Sequence, residues 1–164
     1  MNPETNDVRY VAAAGGIGRV LIARLRPGSD LIAGIRKLCT DFNIKNGYIP
    51  SCIGALYKTR YVYGKADPAV KGGAGVSEEQ IGSRIVQFLA AQGNIGRDES
   101  GQPQVHIHGI FCEEGSVKGG HFDKPGNIVA ATMEVVIQEV LGVDMSQRLD
   151  TEIDQLCLYP VSTK

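Results

Sequence analysis

All three histidines of this 164-residue chain lie in one short segment, as His106, His108 and His121. Side chains two residues apart in a β-strand point to the same face, so a strand over residues 104–112 would present His106 and His108 together. The dipeptide Glu114-Gly115 is typical of a hairpin turn, and the register of that turn places His121 directly opposite His108. The spacing therefore predicts three imidazoles that converge on one face of a hairpin.

Three imidazoles in this arrangement can hold one metal ion. Directly paired residues in a hairpin have Cβ atoms about 4.5–5.5 Å apart, and zinc–nitrogen bonds are about 2.0–2.1 Å long. A three-histidine set without a cysteine favours an open site, in which water or a substrate fills the fourth position. Zinc is the first candidate, and iron, cobalt or nickel would accept the same ligands. The alternative is a group of surface or core-edge histidines satisfied by ordinary hydrogen bonds.

Glu134 is the candidate catalytic residue, because it interrupts the otherwise apolar segment 128–141. An unpaired buried carboxylate is costly, so this residue needs a metal, a cation, a proton or exposure to solvent. Its functional interpretations are a metal ligand, a partner of a metal ligand and a proton carrier. The alternative is a solvated residue that points outward from an edge strand.

Arg60 is the candidate substrate-binding residue, because a guanidinium group can hold an anionic substrate. It lies among three tyrosines and close to Lys58 and Lys65. These cations could instead form a basic aromatic patch for a nucleic acid, or simply a solvated strand face beside packed tyrosines.

The elements that must position these side chains are predicted from apolar periodicity. A helix is predicted with Ser29 as its N-cap and Asp30 in its first turn. Its apolar stripe repeats at helical spacing and comprises Leu31, Ile32, Ile35, Leu38, Cys39 and Phe42. Residues 43–47 end this helix.

Apolar, strand-like segments flank the predicted helix on both sides. They cover residues 20–25, 48–53, 55–63, 85–91, 104–112, 117–122 and 128–141. Residues 64–80 are rich in glycine and lack periodicity, which predicts a surface loop. One helix followed mainly by closely spaced strands predicts a single α+β domain with a largely antiparallel sheet.

Charge and composition restrict the classes of function. The chain has 17 Lys and Arg against 18 Asp and Glu, a formal net charge of −1, which disfavours nucleic-acid binding. No apolar run approaches the length of about 20 residues that crosses a bilayer, so no membrane contact is predicted. The polar opening, residues 1–9, lacks the pattern of a secretory signal and predicts a cytoplasmic protein. The four widely spaced cysteines are expected to be reduced and mostly buried.

Taken together, the motifs resemble the PPC (plants and prokaryotes conserved) domain family, in the form of a prokaryotic stand-alone member. The resemblance covers about residues 19 to 160. It rests, in order along the chain, on Arg26-Pro27-Gly28-x-Asp30-Leu31, Ile53-Gly54-Ala55-Leu56, Gly93-Asn94-Ile95, His106-x-His108, Gly119-Gly120-His121, Gly126-Asn127-Ile128-Val129 and Ala131-Thr132-x-Glu134-Val135-Val136-Ile137.

The resemblance implies an α+β fold with an antiparallel sheet, and a homotrimer with the histidines near a subunit interface. It implies a domain over residues 19–164 preceded by an N-terminal extension, residues 1–18. The resemblance also implies the metal ligands, which by their positions in the motifs are His106, His108 and His121. The family is also distantly similar in fold to acetolactate decarboxylase, a zinc lyase with a His-x-His pair and a distal histidine. Gln87 departs from the family, since many relatives have Glu there.

The sequence is consistent with two functions of different classes. In the first, the chain is a metal-binding PPC protein and a candidate enzyme, of the lyase or hydrolase type, for a small anionic oxygenated substrate. The alternative is a DNA-binding or transcription-associated trimer with a structural metal. Plant relatives carry AT-hooks with an Arg-Gly-Arg-Pro core, and this chain has no such sequence. A metal-dependent sensor or scaffold is a third interpretation.

Overall fold

The structure, a computed structural model, describes residues 8–163. Within these residues the chain forms one helix, α1, and strands β1 to β11. Their bounds are β1 (Gly16–Leu25), α1 (Leu31–Asp41), β2 (Gly47–Tyr61), β3 (Gly64–Ala66), β4 (Ala74–Val76), β5 (Gln80–Gly82), β6 (Val86–Arg97), β7 (Pro103–Glu113), β8 (Ser116–His121), β9 (Ile128–Leu141), β10 (Val143–Asp150) and β11 (Gln155–Ser162). The first seven residues of the predicted N-terminal extension lie outside the described range.

Helix α1 forms where its apolar stripe predicts it, but its N-cap is Asp30 and not Ser29. The Asp30 carboxylate accepts a hydrogen bond of 2.8 Å from the backbone N–H of Ala33, which satisfies one of the free donors at the helix start. Four side chains of the stripe are buried: Leu31, Ile32, Ile35 and Cys39.

The main sheet has the strand order β1-β9-β2-β6-β10-β11, and β7 pairs with β6 while β8 pairs with β7. The pairs β1–β9, β9–β2, β2–β6, β6–β7 and β7–β8 are all antiparallel. Among the strand pairs within residues 8–163, only the short β6–β10 pair is parallel. The structure thus confirms a single α+β domain with a mostly antiparallel sheet.

The two faces of the sheet differ in burial because side chains alternate along each strand. One face packs against α1 and forms the core, with Val105, Ile107, Met133, Val135 and Ile137 all buried. The alternate residues, which include both histidines of β7, point to the opposite face. We call this opposite side the open face, since no element of residues 8–163 covers it in the way that α1 covers the core side.

Three segments differ from the sequence-based expectation. Strand β2 runs without interruption through Gly54, where a Cβ atom would overlap the backbone oxygen of Thr132 on the neighbouring strand. The predicted loop 64–80 contains the short β3–β4 hairpin. The β10–β11 hairpin was not predicted; Gln147 interrupts the apolar alternation of β10, and β11 contains Pro160, a residue uncommon inside a strand.

No helix within residues 8–163 has the length and apolar character needed to span a bilayer.

Candidate metal centre

The hairpin β7–β8 has the register predicted from its turn. Glu113 pairs with Ser116, and His108 pairs with His121. Glu114 and Gly115 form the turn with φ angles of 48° and 83°, the left-handed values that a tight two-residue hairpin turn requires. Because the turn fixes the register, it also fixes which side chain faces His108.

The three imidazoles converge on one point of the open face. His106 Nε2 lies 3.0 Å from His108 Nε2, and His121 Nδ1 lies 3.1 Å from the same His108 nitrogen. One ring nitrogen from each of the three residues falls within 4.8 Å of the others. Among the His, Cys, Asp and Glu side chains of residues 8–163, these three histidines form the group whose donor atoms lie close enough together to share one metal ion. The convergence predicted from the sequence is confirmed.

The surroundings of His106 and His108 favour their neutral form. Burial by neighbouring atoms lowers the pKa of His106, and the nearby charges of His121 and His108 lower it further. Burial is also the main cause of the lowered pKa of His108, with His121 as the second cause. A neutral imidazole has a lone pair available for a metal, whereas a protonated ring has none. The donor set therefore fits a borderline divalent metal such as zinc.

Asp123 is a residue of the centre that the sequence analysis missed. Its Oδ2 lies 3.3 Å from Nε2 of His121, whereas Nδ1 of the same ring lies 3.1 Å from His108 Nε2. Interaction with His121 is the main cause that lowers the pKa of the Asp123 carboxyl. The only sequence signal was an acidic residue two positions after the third histidine.

Two grooves flank the cluster on the open face. One, of about 520 Å³, is lined by Tyr48, Ile49, Pro50, Gln92, Gly93, Asn94, His106 and His108. The other, of about 460 Å³, is lined mostly by small and apolar residues: Ala90, Ala91, Gln92, His108, Gly109, Ile110, Gly119 and Gly120. Neither lining contains a Lys, Arg, Asp or Glu side chain. A ligand beside the histidines would therefore meet amide groups on one side and apolar surface on the other.

Glu134 does not join the histidines within one chain. It is exposed on β9, where it pairs with Arg24 of β1 and Ile53 of β2. Strands β2 and β6 separate β9 from β7, and neighbouring strands lie about 4.8 Å apart, so the two sites are roughly 14 Å apart across the sheet. Exposure to solvent explains how the carboxylate is accommodated in an apolar stretch.

The Arg60 side chain forms an ion pair and hydrogen bonds with residues outside the histidine cluster. Its guanidinium binds both carboxylate oxygens of Glu79, with contacts of 2.8 to 3.1 Å, and donates to the carbonyl of Pro125. Its backbone N–H donates to the side chain of the fully buried Asn127. Arg60 lines neither groove beside the histidines.

The cysteines play no part in the cluster. Cys39 and Cys52 are buried, and burial raises their pKa values to about 11 and about 12. Such thiols stay protonated at neutral pH and are poor metal ligands.

The fold and the site define a class of protein: a small α+β domain with a histidine triad on the open face of its sheet. The sequence pattern of the Plants and Prokaryotes Conserved domain (PCC, or PPC) matches residues 12–141. The chain belongs to this family, which confirms the resemblance inferred from its motifs.

Solved structures share this fold. A metal-containing protein from Archaeoglobus fulgidus is 20% identical, with a TM-score of 0.76 over 92% of this chain and 99% of that one. A PPC protein from Pyrococcus horikoshii is 24% identical, with a TM-score of 0.74 over 94% of this chain and 100% of that one. A candidate DNA-binding protein from Ralstonia eutropha JMP134 is 22% identical, with a TM-score of 0.66 over 84% and 88%.

One curated relative is a much longer protein than this chain. The chain is 26% identical over 142 residues to the bifunctional protein GlmU of a Synechococcus strain. The matched part is 86% of this chain but only 20% of that protein's length.

Proposed function

We propose that this protein binds a divalent metal ion, with zinc as the first candidate, through His106, His108 and His121. The observation that carries the proposal is the approach of three imidazole nitrogens to within 4.8 Å of one another on one sheet face. A relative of the same fold, from Archaeoglobus fulgidus, is described as metal-containing.

The two grooves beside the histidines favour a site that a small oxygenated ligand can reach. A bound divalent metal would polarise a carbonyl or carboxylate oxygen, or lower the pKa of a water molecule. Tyr48, Gln92 and Asn94 line the adjoining groove and offer hydroxyl and amide groups that would orient such a ligand. The grooves contain no cationic side chain, so the metal would supply the positive charge for an anionic substrate. Lyase or hydrolase chemistry on such a substrate is the enzymatic form of the proposal.

We further propose that the chain assembles as a homotrimer, as the family resemblance implies, through apolar side chains on part of its open face. The support is an exposed apolar surface on the same side of the sheet as the histidines. Val20 and Ile22 are 57% and 76% exposed, and Ile53 and Ile110 are 44% and 48% exposed. Several exposed apolar side chains on one side of a sheet are typical of contact sites between proteins.

The DNA-binding alternative has weaker support. It rests on descriptions of relatives that share only the fold. Arg60 and Lys124 are both paired with Glu79, which removes two cations from a basic patch at that place. The net charge of −1 gives no general attraction for phosphates.

The metal content of the purified protein tests the proposal. We expect one metal per chain by mass spectrometry after dialysis against zinc and then against buffer. His106→Ala should lose most of this metal, since two imidazoles remain, while Gln102→Ala, an exposed change outside the cluster, should keep it. Metal-free wild-type protein, or equal metal in His106→Ala and wild type, would refute the proposal. Circular dichroism of each variant shows whether the fold is intact.

A further inference from the structure

The two ring nitrogens of His121 have different surroundings. Nδ1 lies 3.1 Å from Nε2 of His108 and so faces the cluster, whereas Nε2 lies 3.3 Å from Oδ2 of Asp123. In His106 and His108 it is Nε2 that faces the cluster. The three histidines therefore do not present equivalent atoms to a shared ion.

A neutral imidazole carries one proton, and the hydrogen bond made by one nitrogen decides which nitrogen keeps its lone pair. An acceptor beside Nε2 of His121 favours the proton on that atom. The lone pair is then left on Nδ1, which lies beside Nε2 of His108. Carboxylates that hold a ligating histidine in this way fix its tautomer and its orientation and make it a better ligand.

The backbone around Asp123 is fixed by packing, so its position is not that of a free surface side chain. The backbone of His121 exchanges two hydrogen bonds with Val62, of 2.7 and 3.1 Å. Phe122 is fully buried, and its N–H donates to the carbonyl of Ile107 over 2.9 Å. Its ring stacks on Tyr61 with centroids 5.3 Å apart. With both preceding residues held, the Asp123 carboxylate stays beside His121, and only 35% of its side chain is exposed.

We propose that Asp123 is the positioning residue of the centre: it holds the proton of His121 on Nε2, so that the metal is bound by Nδ1 of His121 and by Nε2 of His106 and His108. The inference rests on the proposed metal site. It assigns to each histidine the atom that binds, and it adds a carboxylate that touches the ligand and not the metal.

Two measurements on wild-type protein and on Asp123→Ala and Asp123→Asn test this assignment. The first is the histidine tautomer in metal-free protein at pH 8, from two-bond ¹H–¹⁵N correlation spectra. Wild-type His121 should show a proton on Nε2, and Asp123→Ala should show a mixture of tautomers with His106 and His108 unchanged. This result does not depend on metal binding, so it separates failure of the assignment from failure of the proposed metal site.

The second measurement is the zinc dissociation constant, by competition with a chromogenic chelator. Asp123→Ala should bind zinc about 10–100-fold more weakly, the usual effect of removing a carboxylate behind a ligating histidine. Asp123→Asn keeps an acceptor oxygen and should lose less affinity. Asp41→Ala removes a carboxylate at the end of α1, on the other side of the sheet, and should bind like wild type. A proton on Nδ1 of wild-type His121, or unchanged zinc affinity in folded Asp123→Ala, would overturn the proposal.

Discussion

Glu139 is a nearly buried carboxylate whose charge is held by Arg19. Its two oxygens accept hydrogen bonds of 2.8 Å from the Arg19 guanidinium, and one also accepts from the Arg19 backbone N–H over 3.1 Å. Only 11% of the Glu139 side chain is exposed. The Arg19 hydrogen bonds are the main cause that lowers the pKa of Glu139 from 4.5 to about 2.

A lowered carboxyl pKa in the folded state gives stability that is fully present above the unfolded value and lost as the pH falls through the folded value. Replacing Glu139 by glutamine should therefore lower the urea midpoint at pH 7, and the gap to wild type should close between pH 4.5 and about 2. Urea unfolding at pH 7, 5 and 3 measures this gap. Glu99→Gln, which changes an exposed carboxylate in the turn after β6, is the control and should change little. An equal gap at pH 7 and pH 3 would contradict the pairing.

The residues of the metal centre were predictable to different degrees. The convergence of His106, His108 and His121 follows from strand alternation and one turn, both of which are local rules. The part played by Asp123 was not predictable, because it follows the end of β8 and its position depends on the burial of Phe122 in the distant core. Glu134 is a candidate in the sequence because its neighbours are apolar, but the alternation of side chains along β9 places it on the open face.

Among the elements, β6 and β7 must approach closely behind the histidines, and Gly93 permits this. A Cβ atom at Gly93 would overlap the backbone oxygen of His106 and lie 2.8 Å from the Cα of Ile107. Backbone atoms of a central strand pair cannot move aside cheaply.

Gly93→Ala should therefore lower the free energy of unfolding by about 1–3 kcal/mol, as overpacking does, and should also weaken zinc binding by displacing His106. Gly16→Ala in β1 is the control, since a Cβ there meets nothing within 4 Å. Its effect should stay within about 0.5 kcal/mol. Urea unfolding and zinc titration of both variants check this. Equal stabilities of the two variants would show that the close approach is not needed.

The elements themselves were predictable where their periodicity is strong. The apolar stripe of α1 and the alternation of β7 and β9 are regular, and the structure has these elements close to their predicted bounds. The β10–β11 hairpin is less regular, because Gln147 interrupts the apolar alternation of β10 and Pro160 lies within β11. Its strands pair mainly with each other at the end of the sheet, and many of their side chains are only half-buried.

For the whole molecule, the proposed trimer would cover apolar side chains of the open face that the single chain leaves exposed. Ile22 of β1 is 76% exposed and lies on that face, beside Val136 of β9. A charged residue at this position would remain in water in a single chain but would lose its solvent at an interface, which is costly.

Ile22→Glu should therefore shift the protein from trimer to monomer in sedimentation velocity, and the folded chain should persist in circular dichroism. Val76→Glu is the matched control, because Val76 is 59% exposed but belongs to the separate β3–β4 hairpin. This variant should sediment like wild type. Wild-type protein that sediments as a monomer at tens of micromolar, or a trimer unaffected by Ile22→Glu, would exclude the open face as the interface.

Anomalous diffraction from crystals of the zinc-loaded protein shows whether the three imidazoles share one metal ion. We expect an anomalous peak at the zinc edge, about 2.0–2.1 Å from Nε2 of His106, Nε2 of His108 and Nδ1 of His121. Zinc bound to His121 through Nε2 would contradict the part assigned to Asp123. A zinc-loaded crystal with no anomalous peak at this histidine cluster, or with zinc ordered only at other residues, would contradict the metal centre itself.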